Sequence, residues 1–150
     1  MARRAQTGHE WGELASAVGP RVRLLRNALA ARSIAALEGF GLPTGSLTVL
    51  SLIAANPGSS QTALAKAAGV NKSALVGIVD ELEKRGLAAR DRSANDRRRN
   101  NLTVTPVGEA MMKTMLARVA VGEDKLRHAL GARDHLKLIE LLDRANAALE

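Results

Sequence analysis

LAKAAGVNKSALVGIVDELEKRGL, residues 64–87, holds two short helical runs joined by a glycine turn. It opens on small and apolar helix formers that Gly69 ends, and Asn71 then stands where a helix cap is expected. Beyond it Leu75, Ile78, Val79 and Leu82 recur at three- and four-residue spacing, which predicts one buried stripe of a second helix that Gly86 stops. Lys72, Ser73, Val76, Gly77, Asp80 and Lys84 fall elsewhere on that helix's surface. Ser60 begins the first helix of the pair, and Ala65, Ala68 and Gly69 are small enough to allow a close approach. Such a pair is a helix-turn-helix candidate, in which the first helix braces the second against a major groove about 12 Å wide. Alone this is weak evidence, because any short helical hairpin needs a glycine turn.

The residues after the pair change the balance. LAARD and NLTVT are two short strands with an arginine-rich tip between them, and the ten residues from Arg90 to Arg99 hold five arginines. A hairpin with a basic tip directly after the second helix is the wing of a winged helix. Arginine suits the minor groove, where negative potential concentrates and a long flat cation can reach in.

Working outward, RVRLLRNALAARSIAAL after Pro20 shows helical periodicity. Gly19-Pro20 either opens this helix, with a looser piece EWGELASAV before it, or kinks one longer helix. Thr44 is the expected cap of GSLTVLSLIAA, which Asn56-Pro57-Gly58 ends. Thr105-Pro106 opens a long helix that Gly131 interrupts, and DHLKLIELLDRANAAL closes the chain. With one Trp, one Phe and no Tyr, the core must be built from Leu, Ala, Val, Ile and Met, which suits packed helices. The net charge of +7 points to a polyanionic partner.

The run from Leu47 to Gly108 resembles the winged-helix domain of the MarR family of bacterial transcriptional regulators. LAKAAGVNKSALVGIVDELEKRGL carries the resemblance, with Asp96-Arg97-Arg98 in the wing and Leu102-Thr103-Val104-Thr105-Pro106-Val107-Gly108 at the family's spacing. The flanking helices fit as well. The resemblance implies a mainly α fold with a small β-wing: a single domain over 1–150, with a winged-helix DNA-binding region at 44–105 and helical dimerisation regions at 1–43 and 106–150. It implies a homodimer whose terminal helices interdigitate and whose two winged helices read a pseudo-palindromic site. Apolar stripes at Leu24-Leu25-Leu29 and Leu138-Leu141-Leu142 support this independently, unless they pack on one another within one subunit.

By the same resemblance, Asn71, Lys72, Ser73, Val76 and Gly77 occupy recognition-helix positions, and Gln61 and Thr62 begin the bracing helix near the phosphate backbone. Arg98 matches the wing arginine of the minor groove, and Asp96 the acid that orients it. Arg90, Arg97 and Arg99 are expected as phosphate contacts or supports. Two positions depart from the pattern: Gly77 replaces an Arg or Thr of many relatives, and Glu81 a basic residue. The wing is therefore expected to carry an unusually large share of the affinity. Asn100-Asn101 is more polar than the usual second strand, which leaves that strand's start open.

Family members bind a small anionic or phenolic effector where the first, second and fifth helices meet. Arg21, Arg23, Arg26 and Asn27 are candidates to meet a carboxylate or a phosphate-bearing thioester. Ser46 is expected near the pocket, Met111 and Met115 as adaptable walls, and Trp11 at a subunit interface or over a ligand. By analogy the effector is an aromatic acid or its coenzyme A thioester. The alternative is a constitutive or architectural DNA-binding protein with no effector pocket.

The absence of cysteine removes disulfides, thiol oxidation sensing and Cys-based zinc sites. The spread of His9, His128 and His135 suits surface histidines better than a metal site, so no cofactor is expected. No set of catalytic groups assembles, which speaks against an enzyme. No apolar run reaches the ~20 residues of a membrane span and MARRAQTGHEWG lacks a signal-peptide core, so a cytoplasmic protein is expected.

Overall fold

A computed structural model describes residues 10–91 and 101–149. Five helices and one hairpin run in order: α1 (Gly19–Leu37), α2 (Ser46–Ala55), α3 (Gln61–Ala68), α4 (Lys72–Lys84), β1 (Ala88–Asp91), β2 (Asn101–Val104) and α5 (Pro106–Ala148). Short 3-10 turns occupy Gly12–Ser16 and Glu38–Phe40. The fold is thus mainly α with a small β-wing.

Pro20 sits in the first turn of α1, so Gly19-Pro20 opens this helix and EWGELASAV is a separate turn before it. The Pro lacks the N–H that has no partner at that position anyway. Gly131 breaks α5 with φ 74° and ψ 165°, as its place between the two periodic runs predicts. Thr44 does not cap α2. Its cap position is Gly45, at φ 92°, and Ser46 N donates to Pro43 O at 3.1 Å. The tight space explains the shift: a Cβ on Gly45 would lie 3.3 Å from Ile78 Cδ1.

Three other helix starts are capped as the sequence suggests. Ser60 Oγ accepts from Ala63 N at 3.1 Å, Asn71 Oδ1 from Ala74 N at 2.7 Å, and Thr105 Oγ1 from Gly108 N at 3.0 Å. Each satisfies one of the N–H groups that a helix leaves without an internal acceptor. Asn71→Ala is expected to lower stability by about 1 kcal/mol through loss of this cap. Urea denaturation checks it, and an unshifted midpoint would show that the bond contributes nothing.

The core gathers Val49, Leu50, Ile53, Leu64, Leu75, Val79, Leu82, Leu87 and Leu102, each at most 3% exposed. Every one comes from α2, α3, α4 or the hairpin and its approach. Helix α1 packs along α5 yet contains no buried residue, and α5 buries only Gly108 and Met115. Of the two terminal stripes Leu24 and Leu141 stay exposed while Leu25, Leu29, Leu138 and Leu142 are half-buried, so the packing of α1 along α5 covers them only in part.

The junction between the core and α5 is fastened through Thr105. Its Oγ1 donates to Gly86 O at 2.6 Å, while its N donates to Leu87 O at 3.1 Å. Gly108, one turn further, lies against the backbone of Leu87.

Candidate nucleic-acid interface

The face of α4 opposite the core stripe is open. Lys72 and Ser73 stand exposed in its first turn, just beyond the Asn71 cap, and Val76 is half-buried beside them. Gly77 is exposed, and a Cβ built there meets nothing within 4 Å. On α3 Thr62 is exposed and Gln61 half-buried at the first turn. The N-terminal turns of both helices thus carry the polar members of the expected interface. A helix N-terminus also favours anions, through its free N–H groups and its dipole.

The hairpin begins directly after α4. Ala88 pairs with Val104, Ala89 with Thr103, Arg90 with Leu102 and Asp91 with Asn101, in antiparallel register. The second strand therefore starts at Asn101, despite its polarity, because Leu102 is driven into the core at 1% exposure. The tip, with Asp96, Arg97, Arg98 and Arg99, lies outside the described residues.

Among the described residues Arg90 has two carboxylate neighbours on α4. Its Nη2 donates to Asp80 Oδ1 at 2.7 Å, and its Nε lies 3.2 Å from Glu83 Oε2, an ionic contact without hydrogen-bond alignment. Arg90 is held as a support that fixes β1 to α4. Asp80 and Glu83, three apart on α4, are partners that sequence reasoning misses. Their helical spacing next to an arginine on the following strand is the available signal.

Glu81 does not stand as a free acid. Arg85 Nε donates to its Oε1 at 2.7 Å and Lys84 Nζ lies 3.8 Å from its Oε2. The Arg85 hydrogen bond, with help from Lys84, holds the Glu81 carboxyl below its ordinary pKa. With the folded value lowered, the contribution is present above the usual carboxylate range and lost as pH falls through the lowered value.

A cavity of about 330 Å³ opens beside α1, between Ala31, Ile34, Ala35, Leu37, Leu42, Pro43 and Met115, with Ser33, Glu38 and Thr44 as its polar edge. A second, of about 470 Å³, shares Ala35 and Glu38 with it and reaches Phe40, Thr114 and Arg118. Met115 is the expected wall residue that lines the first cavity, while Met111 packs against the core. Ser46 is buried at the head of α2, and no partner accepts or donates at its Oγ among the described residues.

The remaining effector candidates gather at the other end of α1. Arg21 stacks over Trp11 at 4.6 Å and donates to the carbonyls of Leu14, Ala15 and Ala17, closing the turn before the helix. Arg26 donates to Asn27 Oδ1 at 3.2 Å, and Arg23 is exposed. Ten residues of α-helix separate Arg21 from Ala31, roughly 15 Å. Among the described residues no helix is long and apolar enough to cross a membrane.

Comparison with known proteins agrees with this geometry. The model of the MarR family matches residues 40–99. A Thauera aromatica protein assigned as transcriptional regulator of the hcr operon is 39% identical over 114 residues, which cover 76% of this chain and 68% of that protein. The transcriptional repressor CouR bound to a 23-mer DNA duplex superposes with a TM-score of 0.79 and 31% identity, over 91% of this chain and 96% of that one. CouR from Rhodococcus jostii RHA1 bound to p-coumaroyl-CoA gives 0.75 and 27%, over 86% and 91%. The Mycobacterium tuberculosis MarR family protein Rv2887 in complex with p-aminosalicylic acid gives 0.71 and 26%, over 86% and 98%.

Proposed function

Because the chain belongs to the MarR family of DNA-binding transcriptional regulators, we propose that it is a ligand-responsive repressor of the cytoplasm that binds a pseudo-palindromic operator as a homodimer. The observation that carries the DNA reading is the open face of α4, with Lys72 and Ser73 exposed at its capped N-terminus and the wing directly behind it. In this reading residues 44–105 hold the DNA, with Asn71, Lys72, Ser73, Val76 and Gly77 at the major groove and Gln61 and Thr62 near the phosphate backbone. The wing's Arg97, Arg98 and Arg99 reach the minor groove and phosphates, Asp96 orients Arg98, and Arg90 braces the hairpin.

Residues 1–43 and 106–150 form the dimer. Support comes from α1, a 19-residue helix that packs along α5 yet buries no side chain fully. A second subunit laid over the exposed leucines of α1 and α5 would bury them.

The effector reading rests on the cavity beside α1, and on relatives solved with an aromatic acid and with an aromatic acyl-CoA. Among the described residues its lining holds Glu38 and no Lys or Arg. A free carboxylate would enter beside a like charge, whereas the uncharged acyl end of a thioester would not. Arg118 in the adjoining cavity suits a phosphate of the same molecule. A coenzyme A thioester of an aromatic acid is therefore the favoured effector. Release requires that it bind more tightly to a form whose half-site spacing does not match DNA.

The test is a titration of the duplex upstream of the protein's own gene, across salt, with p-coumaroyl-CoA, p-coumarate and salicylate as probes. The expected result is tight binding whose logarithm falls with log salt at a slope of about −5 or steeper. The thioester should release the DNA at concentrations where the free acids do not. Tight binding that no probe disturbs would favour a constitutive regulator, and no specific binding at any salt would sink the DNA reading.

A further inference from the structure

The segment Glu38–Gly45 walls both cavities. Glu38, Gly39 and Phe40 line the larger one, and Leu42, Pro43, Thr44 and Gly45 line the smaller. The residue left over, Gly41, is where α4 takes hold. Arg85, at the C-terminal end of α4, donates from Nη2 to Gly41 O at 2.6 Å and from Nη1 to Phe40 O at 3.3 Å. At the other end of the segment Ile78 of α4 packs against Gly45.

Both attachment points are glycines in the left-handed region, Gly41 at φ 60° and Gly45 at φ 92°. That backbone is one other residues rarely adopt, and it brackets Leu42-Pro43-Thr44 with two permissive joints. The cavity wall is therefore attached to α4 at both of its ends.

We propose that Arg85 is a positioning residue that couples the cavity wall to α4, so that an occupant of the cavity acts on DNA affinity through it. This rests on the ligand-responsive reading above. The geometry favours a transmitting role over a simple helix cap for a stated reason. The guanidinium is oriented by Glu81 on its own helix, through Nε at 2.7 Å, and spends its other two nitrogens on carbonyls 44 and 45 residues away in sequence. A planar fork held at three points conveys rotation as well as distance, which a single ammonium donor cannot.

The test is a double-mutant cycle that needs no effector. Ala35 borders both cavities, and Ala35→Met places a longer side chain there as a stand-in occupant. Affinity for the own-promoter duplex is measured in the wild type, Ala35→Met, Arg85→Met and the double variant, with amide exchange of residues 78–85 followed in the same proteins. Ala35→Met is expected to weaken DNA binding about fivefold in the presence of Arg85, the low end of ordinary coupling, and less than twofold without it. Exchange in α4 should respond to Ala35→Met only when Arg85 is present, and Arg85→Lys should retain part of the coupling.

Equal factors in the two backgrounds overturn the proposal, because a merely structural arginine adds the same loss to both. So does an Ala35→Met protein whose DNA affinity and α4 exchange are both unchanged. If the wild type binds no duplex, the DNA reading fails, and the exchange measurement alone still decides whether Arg85 links wall to helix.

Discussion

Gly108→Ala is expected to lower stability by about 4 kcal/mol or more, a large part of the stability of an ordinary domain. The new methyl group would overlap the carbonyl oxygen of Leu87, and would lie 2.8 Å from both Leu87 C and Val104 Cγ1. Two of these three atoms are backbone, so no rotamer change relieves the clash. Nor can the backbone step aside cheaply. Leu87 O is already the acceptor of Thr105 N, and Thr105 Oγ1 ties the same junction to Gly86 O. Gly122→Ala in the same helix is the control, since its Cβ would meet Arg32 Cβ at an ordinary 3.6 Å. Urea denaturation at one protein concentration compares them. A Gly108→Ala protein within about 1 kcal/mol of the wild type, by the same scale of core overpacking costs, would refute the close approach.

Removing the wing arginines is expected to have the largest effect on function. Changing Arg97, Arg98 and Arg99 together to Ala should weaken operator binding about 100-fold at physiological salt. It should also flatten the salt slope by roughly 2 to 3, at about 0.9 for each phosphate no longer neutralised. Their share is large because α4 offers little in compensation. Gly77 has no side chain to present, and the Glu81 carboxylate is occupied by Arg85. Arg98→Ala alone should cost more than Lys72→Ala, and the opposite order in a binding titration would show that the helix carries the affinity. Thermal stability should be unchanged in all of these proteins, which separates a weakened interface from a damaged fold.

The helix-turn-helix and its hairpin are legible in the sequence because their signals are local. Ser60, Asn71 and Thr105 cap within three residues of themselves, and the stripe from Leu75 to Leu82 repeats within one helix. Thr44 misleads because the cap position falls one residue later, on Gly45 at φ 92°, where a side chain would crowd Ile78, a residue far away in sequence. Arg85 is illegible for the same reason, since nothing near it in sequence announces carbonyls 44 residues back. Arg90 is expected at phosphates or as a support, and the contacts that it makes with Asp80 and Glu83 on α4 are of the second kind. The arginines at the start of α1 look suited to an anion. The cavity instead opens against the last two turns of that helix, where alanine and isoleucine carry no such signal.

The stack of Arg21 on Trp11 has an optical consequence. Trp11 is the only indole in the chain, and tyrosine is absent, so all near-ultraviolet emission excited at the red edge comes from one ring. That ring is fixed at the entrance to α1 beneath a guanidinium at 4.6 Å, away from the core of α2, α3, α4 and the hairpin. Its fluorescence therefore reports on the N-terminal turn and the first helix rather than on the winged core. A melting curve taken from it follows the release of the N-terminal turn and α1, while backbone circular dichroism follows the whole chain. The gap between the two curves measures how tightly the terminal helices and the winged core share one cooperative transition.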